Sequence, residues 1–214
     1  MTGSGERRRR RLRSSSLYLC VGCGDEEIAA AALRGGTDMV QLRDKDAADD
    51  RLLECAAGLR ELCDEAGALL WVNDRPDLAV AAGADGVHVG QDDLPVAEAR
   101  AEVGPDLLVG LSTHSPAQLA AGLRSEADEL SVGPVWATPT KEGRPAAGPD
   151  YVRHAAETAR ERPWFAIGGI GPDTVAEVVA AGATRVVVVR AIRDAADPEA
   201  AALSLRAALE RRPR

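Results

Sequence analysis

The chain has 214 residues, of which 45% are hydrophobic, and its formal net charge is −8. That length supports one sizeable core, and the 21 glycines, 12 prolines and four cysteines exclude collagen-like, low-complexity and disulfide-scaffold proteins. The acidic charge and the 3% aromatic content argue against nucleic acid as the main partner. Because no apolar run reaches about 18 residues, a membrane-spanning helix is not expected.

The first residues are basic, with arginines at positions 7–11 and 13. No apolar segment of signal-peptide length follows them. We therefore expect a disordered basic arm over residues 1–15, with nucleic-acid or membrane binding by this arm as the alternative. The cysteines include Cys20-x-x-Cys23 but no second such pair, which favours reduced structural thiols and a cytoplasmic location over a zinc site.

Beyond the arm, short apolar runs alternate with amphipathic stretches. The runs predict eight strands, at 16–21, 37–42, 68–73, 86–90, 107–112, 130–135, 164–168 and 185–190. The amphipathic stretches predict helices at 25–34, 47–66, 76–82, 95–103, 115–125, 150–161, 173–181 and 198–211. Strands that are almost continuously apolar, each followed by a helix, are typical of a parallel sheet covered on both faces.

Eight such units predict an α/β fold, a single (β/α)8 TIM barrel forming one catalytic domain over residues 16–214. A doubly wound open sheet is the alternative. Polar residues follow nearly every predicted strand. In a barrel these strand ends share one rim, whereas an open sheet would spread them along an edge too long for one small ligand. The sequence therefore favours the barrel.

The QLRDK stretch at 41–45 ends the second predicted strand. Strand alternation places Gln41 and Arg43 on the inner side, and Lys45 lies just beyond them. An arginine fork and a lysine point charge at one strand end are typical of an anion site. The alternative is a solvated loop neutralised by its own aspartates.

Two carboxylates follow the next two strands. Asp74 comes after the third strand and Asp93 after the fourth, so a barrel would bring both within reach of one cation. Mg²⁺ takes one or two protein carboxylates and keeps several waters, which suits an ion that holds a diphosphate. A salt bridge from Asp74 to Arg75, or helix capping by Asp92 or Asp93, is the alternative.

A long loop follows the sixth strand and a glycine pair follows the seventh. The loop, at 133–148, carries Thr138, Thr140 and Lys141, which can hold a phosphate and cover the site. The glycines at 168–169 let backbone N–H groups approach an anion where barrels often bind phosphate. Together with the QLRDK cations, these features suggest transfer between two phosphorylated molecules with loss of pyrophosphate.

From about residue 17 to residue 210 the chain resembles the thiamine-phosphate synthase family. The motifs that carry the resemblance are QLRDK, NDR, ADGVHVGQDD, GLSTH, GPVWATPTK, AIGGI and VVVVRAI. That family has a (β/α)8 barrel, requires Mg²⁺, and joins 4-amino-2-methyl-5-(diphosphooxymethyl)pyrimidine to a thiazole phosphate to give thiamine phosphate and pyrophosphate. The resemblance implies a transferase of thiamine biosynthesis with these two small-molecule substrates. It implies no nucleic-acid or membrane partner, and leaves a homo-oligomer open.

The resemblance also implies the roles of individual residues. Catalytic roles would fall to Arg43, Lys45 and Lys141. The pyrimidine diphosphate would be bound by Gln41, Leu42, Arg43, Asp44, Lys45, Asn73, Ser112 and Lys141. The thiazole phosphate would be bound by Thr138, Pro139, Thr140, Gly169, Val189 and Arg190. Mg²⁺ would be ligated by Asp74 and Asp93. Arg190 stands where the family often has a small polar residue.

Two other functions compete with this one. A thiazole tautomerase-like isomerase would need a general base, for which His114 is a candidate, but it would not need the QLRDK cations and the carboxylate pair together. A non-catalytic sensor of a phosphorylated metabolite would bind without turnover. We expect structural roles for His88 and His114, and no Ser-His-Asp or Cys-His constellation stands out in the sequence.

Overall fold

The structure is a computed structural model that describes residues 3–138 and 145–211. Its parallel strands are β1 (Leu17–Val21), β2 (Met39–Leu42), β3 (Leu69–Asn73), β4 (Gly86–Val89), β5 (Leu108–Thr113), β6 (Glu129–Val132), β7 (Trp164–Ile167) and β8 (Val186–Val188). Each strand pairs with the next along the chain, and β8 pairs with β1, which closes the barrel. The prediction of an eight-stranded α/β barrel is confirmed.

Helices follow the strands and cover the barrel. They are α1 (Ser4–Ser14), α2 (Glu26–Arg34), α3 (Asp49–Ala66), α4 (Pro76–Ala81), α5 (Val96–Val103), α6 (Pro116–Leu123), α7 (Gly148–Thr158), α8 (Val175–Ala180), α9 (Arg190–Arg193) and α10 (Pro198–Glu210). No helix in the described ranges is long and apolar enough to cross a membrane.

Two predicted strands extend two or more residues beyond the observed carboxyl ends. The sixth was predicted to reach residue 135, but β6 ends at Val132, just before Gly133 and Pro134. Proline has no N–H to donate to a neighbouring strand, so the ladder stops there. The eighth was predicted to reach residue 190, but β8 ends at Val188 and the short helix α9 begins at Arg190. Both ends lie at the rim where the site forms.

The core has two parts, separated by the wall of the barrel. Leucines, valines and alanines of the strands pack outward against the helices in one large buried cluster. The inward cluster is smaller and contains the aromatic side chains of Tyr18, Trp71 and Phe165. Along β2 the inward residues change from Met39 to Gln41, so the interior is apolar near the strand starts and becomes polar towards the carboxyl ends. Ligand chemistry is therefore confined to that end.

The N-terminal segment differs from the expectation of a disordered arm over residues 1–15. Residues Ser4–Ser14 form α1 at the amino-terminal end of the barrel. Leu12 of this helix is only 1% exposed and packs into the inward aromatic cluster. Arg8 and Arg9 bind Asp85 and Asp128, each at 2.9 Å, just before β4 and β6. Helix α1 therefore covers the apolar end of the barrel, and two of its arginines form ion pairs with carboxylates of the same chain.

We predict that Leu12→Ala destabilises the protein by about 2–5 kcal/mol, since it removes a buried leucine from a packed cluster. Urea unfolding followed by tryptophan fluorescence measures this change. The matched control is Leu203→Ala on α10, where the leucine is 52% exposed and little change is expected. Equal stability of the two variants would show that α1 does not seal the barrel.

Candidate active site

The first of two cavities at the carboxyl-terminal rim has a volume of about 350 Å³. Six of the predicted pyrimidine-diphosphate residues line it: Gln41, Arg43, Asp44, Lys45, Asn73 and Ser112. The side chain of Leu42 instead packs in the outward cluster, as strand alternation requires, so a ligand would meet only its backbone. Lys141 lies outside the described residues.

The QLRDK loop is held in place by hydrogen bonds that involve backbone groups. The N–H of Arg43 donates to the carbonyl of Val21 at 2.8 Å. Asp44 accepts hydrogen bonds from the backbone N–H groups of Cys23 (3.2 Å) and Asp46 (3.3 Å). Within the described residues no carboxylate forms an ion pair with Arg43. Its guanidinium is therefore available to an anion, whereas the carboxylate of Asp44 shapes the loop.

Gln41 is fixed at the floor of the cavity by Tyr18. Its Nε2 donates to the Tyr18 hydroxyl at 2.5 Å, and the amide is 4% exposed. The Tyr18 ring packs against Trp71 and Phe165, with ring centroids 6.0 and 5.6 Å away. Burial, with smaller contributions from Cys20 and Glu129, raises the pKa of Tyr18 well above its ordinary value. The phenol therefore stays neutral, and the Gln41 carbonyl is left facing the cavity.

Asp74 and Asp93 lie together beside this cavity, as the sequence predicted. The backbone of Asp74 has φ = 60°, a conformation that non-glycine residues seldom adopt, and its N–H donates to the His88 carbonyl at 2.8 Å. Burial and then the neighbouring charge of Asp93 raise the pKa of Asp74, while Lys45 lowers it. Lys45 Nζ lies 3.3 Å from Asp74 Oδ2.

Both alternatives for these carboxylates are contradicted. The guanidinium of Arg75 binds Asp49 and Asp77 on the surface instead of Asp74. Asp93 does not cap α5, whose N-cap is Pro95. It accepts the N–H of Gly90 at 2.9 Å. No group of three or more metal-ligating side chains exists in the described part of the chain, so any ion here would have two protein carboxylates.

The second cavity has a volume of about 330 Å³ and adjoins the first. Four of the predicted thiazole-phosphate residues line it: Thr138, Gly169, Val189 and Arg190. Pro139 and Thr140 lie outside the described residues. The two cavities share Ile167, Val187 and Val189 as lining residues. Two ligands would therefore lie side by side, in contact with the same three apolar side chains.

The glycine pair after β7 is required by close packing. Gly168 and Gly169 have φ values of 101° and 69°, which disfavour any other residue. A Cβ on Gly168 would lie 2.5 Å from Pro134, and one on Gly169 would lie 2.8 Å from Trp136. The backbone after β7 therefore touches the loop after β6, which brings the walls of the second cavity together.

Comparisons with known proteins agree with this geometry. A family model described as thiamine monophosphate synthase matches residues 17–192. A thiamine-phosphate synthase of Thermobifida fusca is 54% identical over 206 residues, covering 92% of this chain and 94% of that relative. The chain belongs to the thiamine monophosphate synthase family. The sequence-based recognition of the family, and with it of a transferase, is confirmed.

Solved structures place the fold in the same family. Thiamine phosphate pyrophosphorylase of Pyrococcus furiosus superposes with a TM-score of 0.85 at 32% identity, covering 94% of this chain and 97% of that one. A 3-hexulose-6-phosphate synthase of Salmonella typhimurium, at 17% identity and a TM-score of 0.67, shares the fold alone. The thiamine monophosphate synthase family is thus supported by sequence and by architecture.

Sequence reasoning missed one constellation of this family member. His88 Nδ1 lies 2.6 Å from Glu129 Oε1, and His88 Nε2 lies 2.9 Å from Ser112 Oγ. All three side chains are buried inside the barrel. Glu129 escaped notice because the sixth strand was predicted to begin one residue later, at 130. Alternation from the observed start places Glu129 inward, where it completes a Ser-His-Glu array that the sequence alone did not reveal.

His114 and the four cysteines are the remaining residues that the sequence singled out. His114 lines the second cavity, and its Nδ1 lies 2.6 Å from the Gly133 carbonyl oxygen, so it helps to hold the loop after β6. All four cysteines are free thiols, and burial raises the pKa of Cys63 to about 12. Such thiols are weak nucleophiles. The cytoplasmic location stays a prediction.

We predict that neither tyrosine of the folded protein ionises near pH 10, the ordinary value. Burial raises the pKa of Tyr151 to about 12, and that of Tyr18 is raised as well. Since the folded state keeps these protons and the unfolded state loses them, stability falls as the pH rises above about 10. Ultraviolet titration of the tyrosinate band measures the ionisation.

The Tyr151→Phe variant isolates Tyr18. Its tyrosinate signal is expected only when the protein unfolds, whereas the guanidinium-unfolded variant should titrate near pH 10. A tyrosine signal near pH 10 in the folded variant would contradict the buried, neutral Tyr18 at the cavity floor.

Proposed function

We propose that this chain joins an aminopyrimidine diphosphate, bound in the first cavity, to a thiazole phosphate bound in the second, giving thiamine phosphate and pyrophosphate. The observation that carries the proposal is the pair of adjoining cavities. One has cationic residues at its rim, and the other has a glycine-lined wall. Because Ile167, Val187 and Val189 line both cavities, two ligands bound there would be neighbours. Transfer between ligands held this way needs no covalent enzyme intermediate.

The proposed roles in the first cavity follow from charge and hydrogen bonding. Arg43 offers a planar fork to the diphosphate, and Lys45 offers a point charge beside it. Gln41 and Ser112 lie deeper and would meet the ring. Because pyrophosphate departs as an anion, the protein must neutralise charge on the leaving group rather than supply a strong base. Lys141 keeps its sequence-predicted role in this task.

A divalent cation fits Asp74 and Asp93. Burial and the charge of Asp93 raise the pKa of Asp74, which is an arrangement that a cation relieves, and Lys45 is the only cationic partner of Asp74 within the described ranges. When bound, Mg²⁺ would add positive charge next to the diphosphate. Lys45 could then turn from Asp74 towards the phosphates. We therefore propose Mg²⁺ as the cofactor, held by these two carboxylates.

In the second cavity, the thiazole phosphate would meet backbone N–H groups, a hydroxyl group and one cationic side chain. Gly169 and the turn into α9 bring the backbone to the cavity, and Thr138 adds a hydroxyl group. Arg190 lines the same cavity and would add a positive charge to the phosphate. The apolar side chains of Ile167, Val187 and Val189 would exclude water from the reacting carbon between the two ligands.

The test is incubation of the purified protein with both substrates and Mg²⁺, with thiamine phosphate and pyrophosphate measured separately. We expect equal amounts of both products.

For Arg43→Gln we expect the KM for the pyrimidine diphosphate to rise about 10- to 100-fold, since one charge-assisted contact is lost. Binding of both ligands without product would favour the sensor or the isomerase, and unchanged kinetics of the variant would contradict the role of Arg43.

The matched control for Arg43→Gln is Arg75→Gln. This change removes a positive charge from a nearby loop where the guanidinium already binds Asp49 and Asp77. We expect its KM to stay within about twofold of the parent, because surface ion pairs contribute little. A similar loss in both variants would indicate a general charge effect rather than a contact with the diphosphate.

We predict that Asp74→Asn and Asp93→Asn each raise the Mg²⁺ concentration needed for half-maximal activity by about tenfold or more, because each removes a charged oxygen ligand. Asp77→Asn is the control, since that carboxylate binds Arg75. Titration of turnover with MgCl₂, and calorimetry with the metal alone, measure the effect. Normal Mg²⁺ dependence in both variants would overturn the metal assignment.

A further inference from the structure

The residues Ser112, His88 and Glu129 form a hydrogen-bonded array from the cavity floor into the barrel centre. His88 lies between the other two, 2.6 Å from Glu129 and 2.9 Å from Ser112. Only Ser112 and His88 reach the first cavity, while Glu129 has no exposed surface. The arrangement resembles a catalytic triad in its contacts, but the proposed transfer between two bound ligands needs no serine nucleophile.

The barrel leaves dedicated space for this array. A Cβ at Gly110, between Leu108 and Ser112 on the inward side of β5, would overlap Glu129 Oε1 and would lie 2.5 Å from His88 Nδ1. Gly110 also pairs with His88 and with Glu129 in the strand register. The bare backbone of β5 therefore admits the imidazole and the carboxylate side by side, in contact with each other and away from solvent.

The charge of the array follows from burial. An ionised carboxylate with no exposed surface is costly unless an opposite charge or a proton balances it. Glu129 Oε2 has no hydrogen-bond partner within the described residues, so a proton on that oxygen would be an unsatisfied buried donor. The balancing proton therefore lies between Oε1 and His88 Nδ1, which makes the pair neutral overall.

Both neutral forms of the pair have the same consequence for Ser112. If the shared proton is on His88, the imidazolium carries a proton on each nitrogen. If it is on Glu129, neutral His88 accepts at Nδ1 and carries its own proton on Nε2. In either form His88 Nε2–H donates to Ser112 Oγ. The hydroxyl proton of Ser112 is then left to point into the cavity.

We propose that His88 and Glu129 are positioning residues that make the Ser112 hydroxyl a hydrogen-bond donor to a ring nitrogen of the substrate. This inference rests on the proposed function, because it takes the occupant of the cavity to be an aminopyrimidine. Gln41 supplies the complementary acceptor, since its Nε2 already donates to Tyr18. A donor and an acceptor facing one cavity match a ring that has both a lone-pair nitrogen and an amino group.

The array thereby determines specificity at the ring, while Arg43 and Lys45 act on the phosphates. A pyridine analogue, in which C–H replaces the ring nitrogen next to the amino-bearing carbon, leaves the Ser112 proton without an acceptor. A site built to hydrogen-bond a group discriminates against an analogue that lacks it. We expect kcat/KM for this analogue to be about 10- to 100-fold lower than for the pyrimidine diphosphate.

The first test measures the proton directly, in the unaltered protein. ¹⁵N NMR of histidine-labelled protein distinguishes a protonated from an unprotonated ring nitrogen. The chain has three histidines, so His114→Gln and His154→Gln identify the His88 signals by elimination. We expect His88 Nε2 to carry a proton. A proton on Nδ1 alone would make Ser112 donate to His88 and would overturn the proposal.

The second test is a double-mutant cycle on discrimination between the pyrimidine and its pyridine analogue. One arm is Ser112→Ala, and the other replaces His88→Leu together with Glu129→Gln, so that no unpaired carboxylate is buried. If the pair acts through Ser112, each arm reduces the discrimination to about twofold and the combination reduces it no further. Additive losses, or full discrimination without the imidazole, would overturn the positioning role.

Thr113→Val is the control for loss of a buried hydroxyl group on the same strand. Thr113 faces the outer layer, donates to the Ser131 carbonyl at 2.8 Å and accepts from the Tyr151 hydroxyl at 2.7 Å. The Thr113→Val change should lower the stability of the protein and leave the discrimination unchanged.

The NMR outcome is independent of turnover. An inactive protein with a protonated His88 Nε2 would therefore reject the proposed function. An active protein with an unprotonated Nε2 would reject only this inference.

Discussion

Closure of the sheet is the constraint on which the rest of this structure depends. Because β8 pairs with β1, every inward side chain shares one interior whose width is set by eight strands. The lower part of that interior is filled by Tyr18, Trp71 and Phe165 and is covered by α1. The polar side chains that remain can reach solvent only at the opposite rim. Both cavities lie there because the other end is closed.

Positively charged side chains at the rim offset, at short range, the net negative charge of the whole chain. A net charge of −8 repels anionic ligands at long range, so the anion sites must act over short distances. The arginine run near the N-terminus contributes nothing at the rim, because Arg8 and Arg9 bind carboxylates at the other end of the barrel. Arg43 and Lys45 supply the local positive charge, and Lys45 is shared with the carboxylate pair.

The interior combines apolar packing with a few hydrogen bonds between buried side chains. Gln41 is oriented by Tyr18, and Ser112 is oriented by His88 and Glu129. Each of these groups is held by a buried neighbour, which limits the ways in which a ligand can satisfy them. In the proposed function, recognition of the ring at the floor and recognition of the phosphates at the rim are therefore performed by different residues.

Much of this arrangement was predictable from local patterns. The eight apolar runs predicted the strands to within a few residues, and alternation placed Gln41 and Arg43 inward. The carboxylates Asp74 and Asp93 were found by their position after neighbouring strands. The errors arose where packing decides the structure. The sixth strand begins one residue earlier than predicted, so Glu129 was missed. The basic N-terminal segment forms a helix instead of a disordered arm, so the buried Leu12 was missed.

The sequence by itself determined the eight strand–helix units, the family and most of the residues at the rim, because periodicity and motifs are local properties of the chain. Only the tertiary structure decided which of them meet. It paired Lys45 with Asp74 rather than Arg75 with Asp74, joined two cavities through Ile167, Val187 and Val189, and brought Glu129 to His88 across 41 residues. Those contacts depend on closure of the barrel, which is a property of all eight strands together and of no single segment.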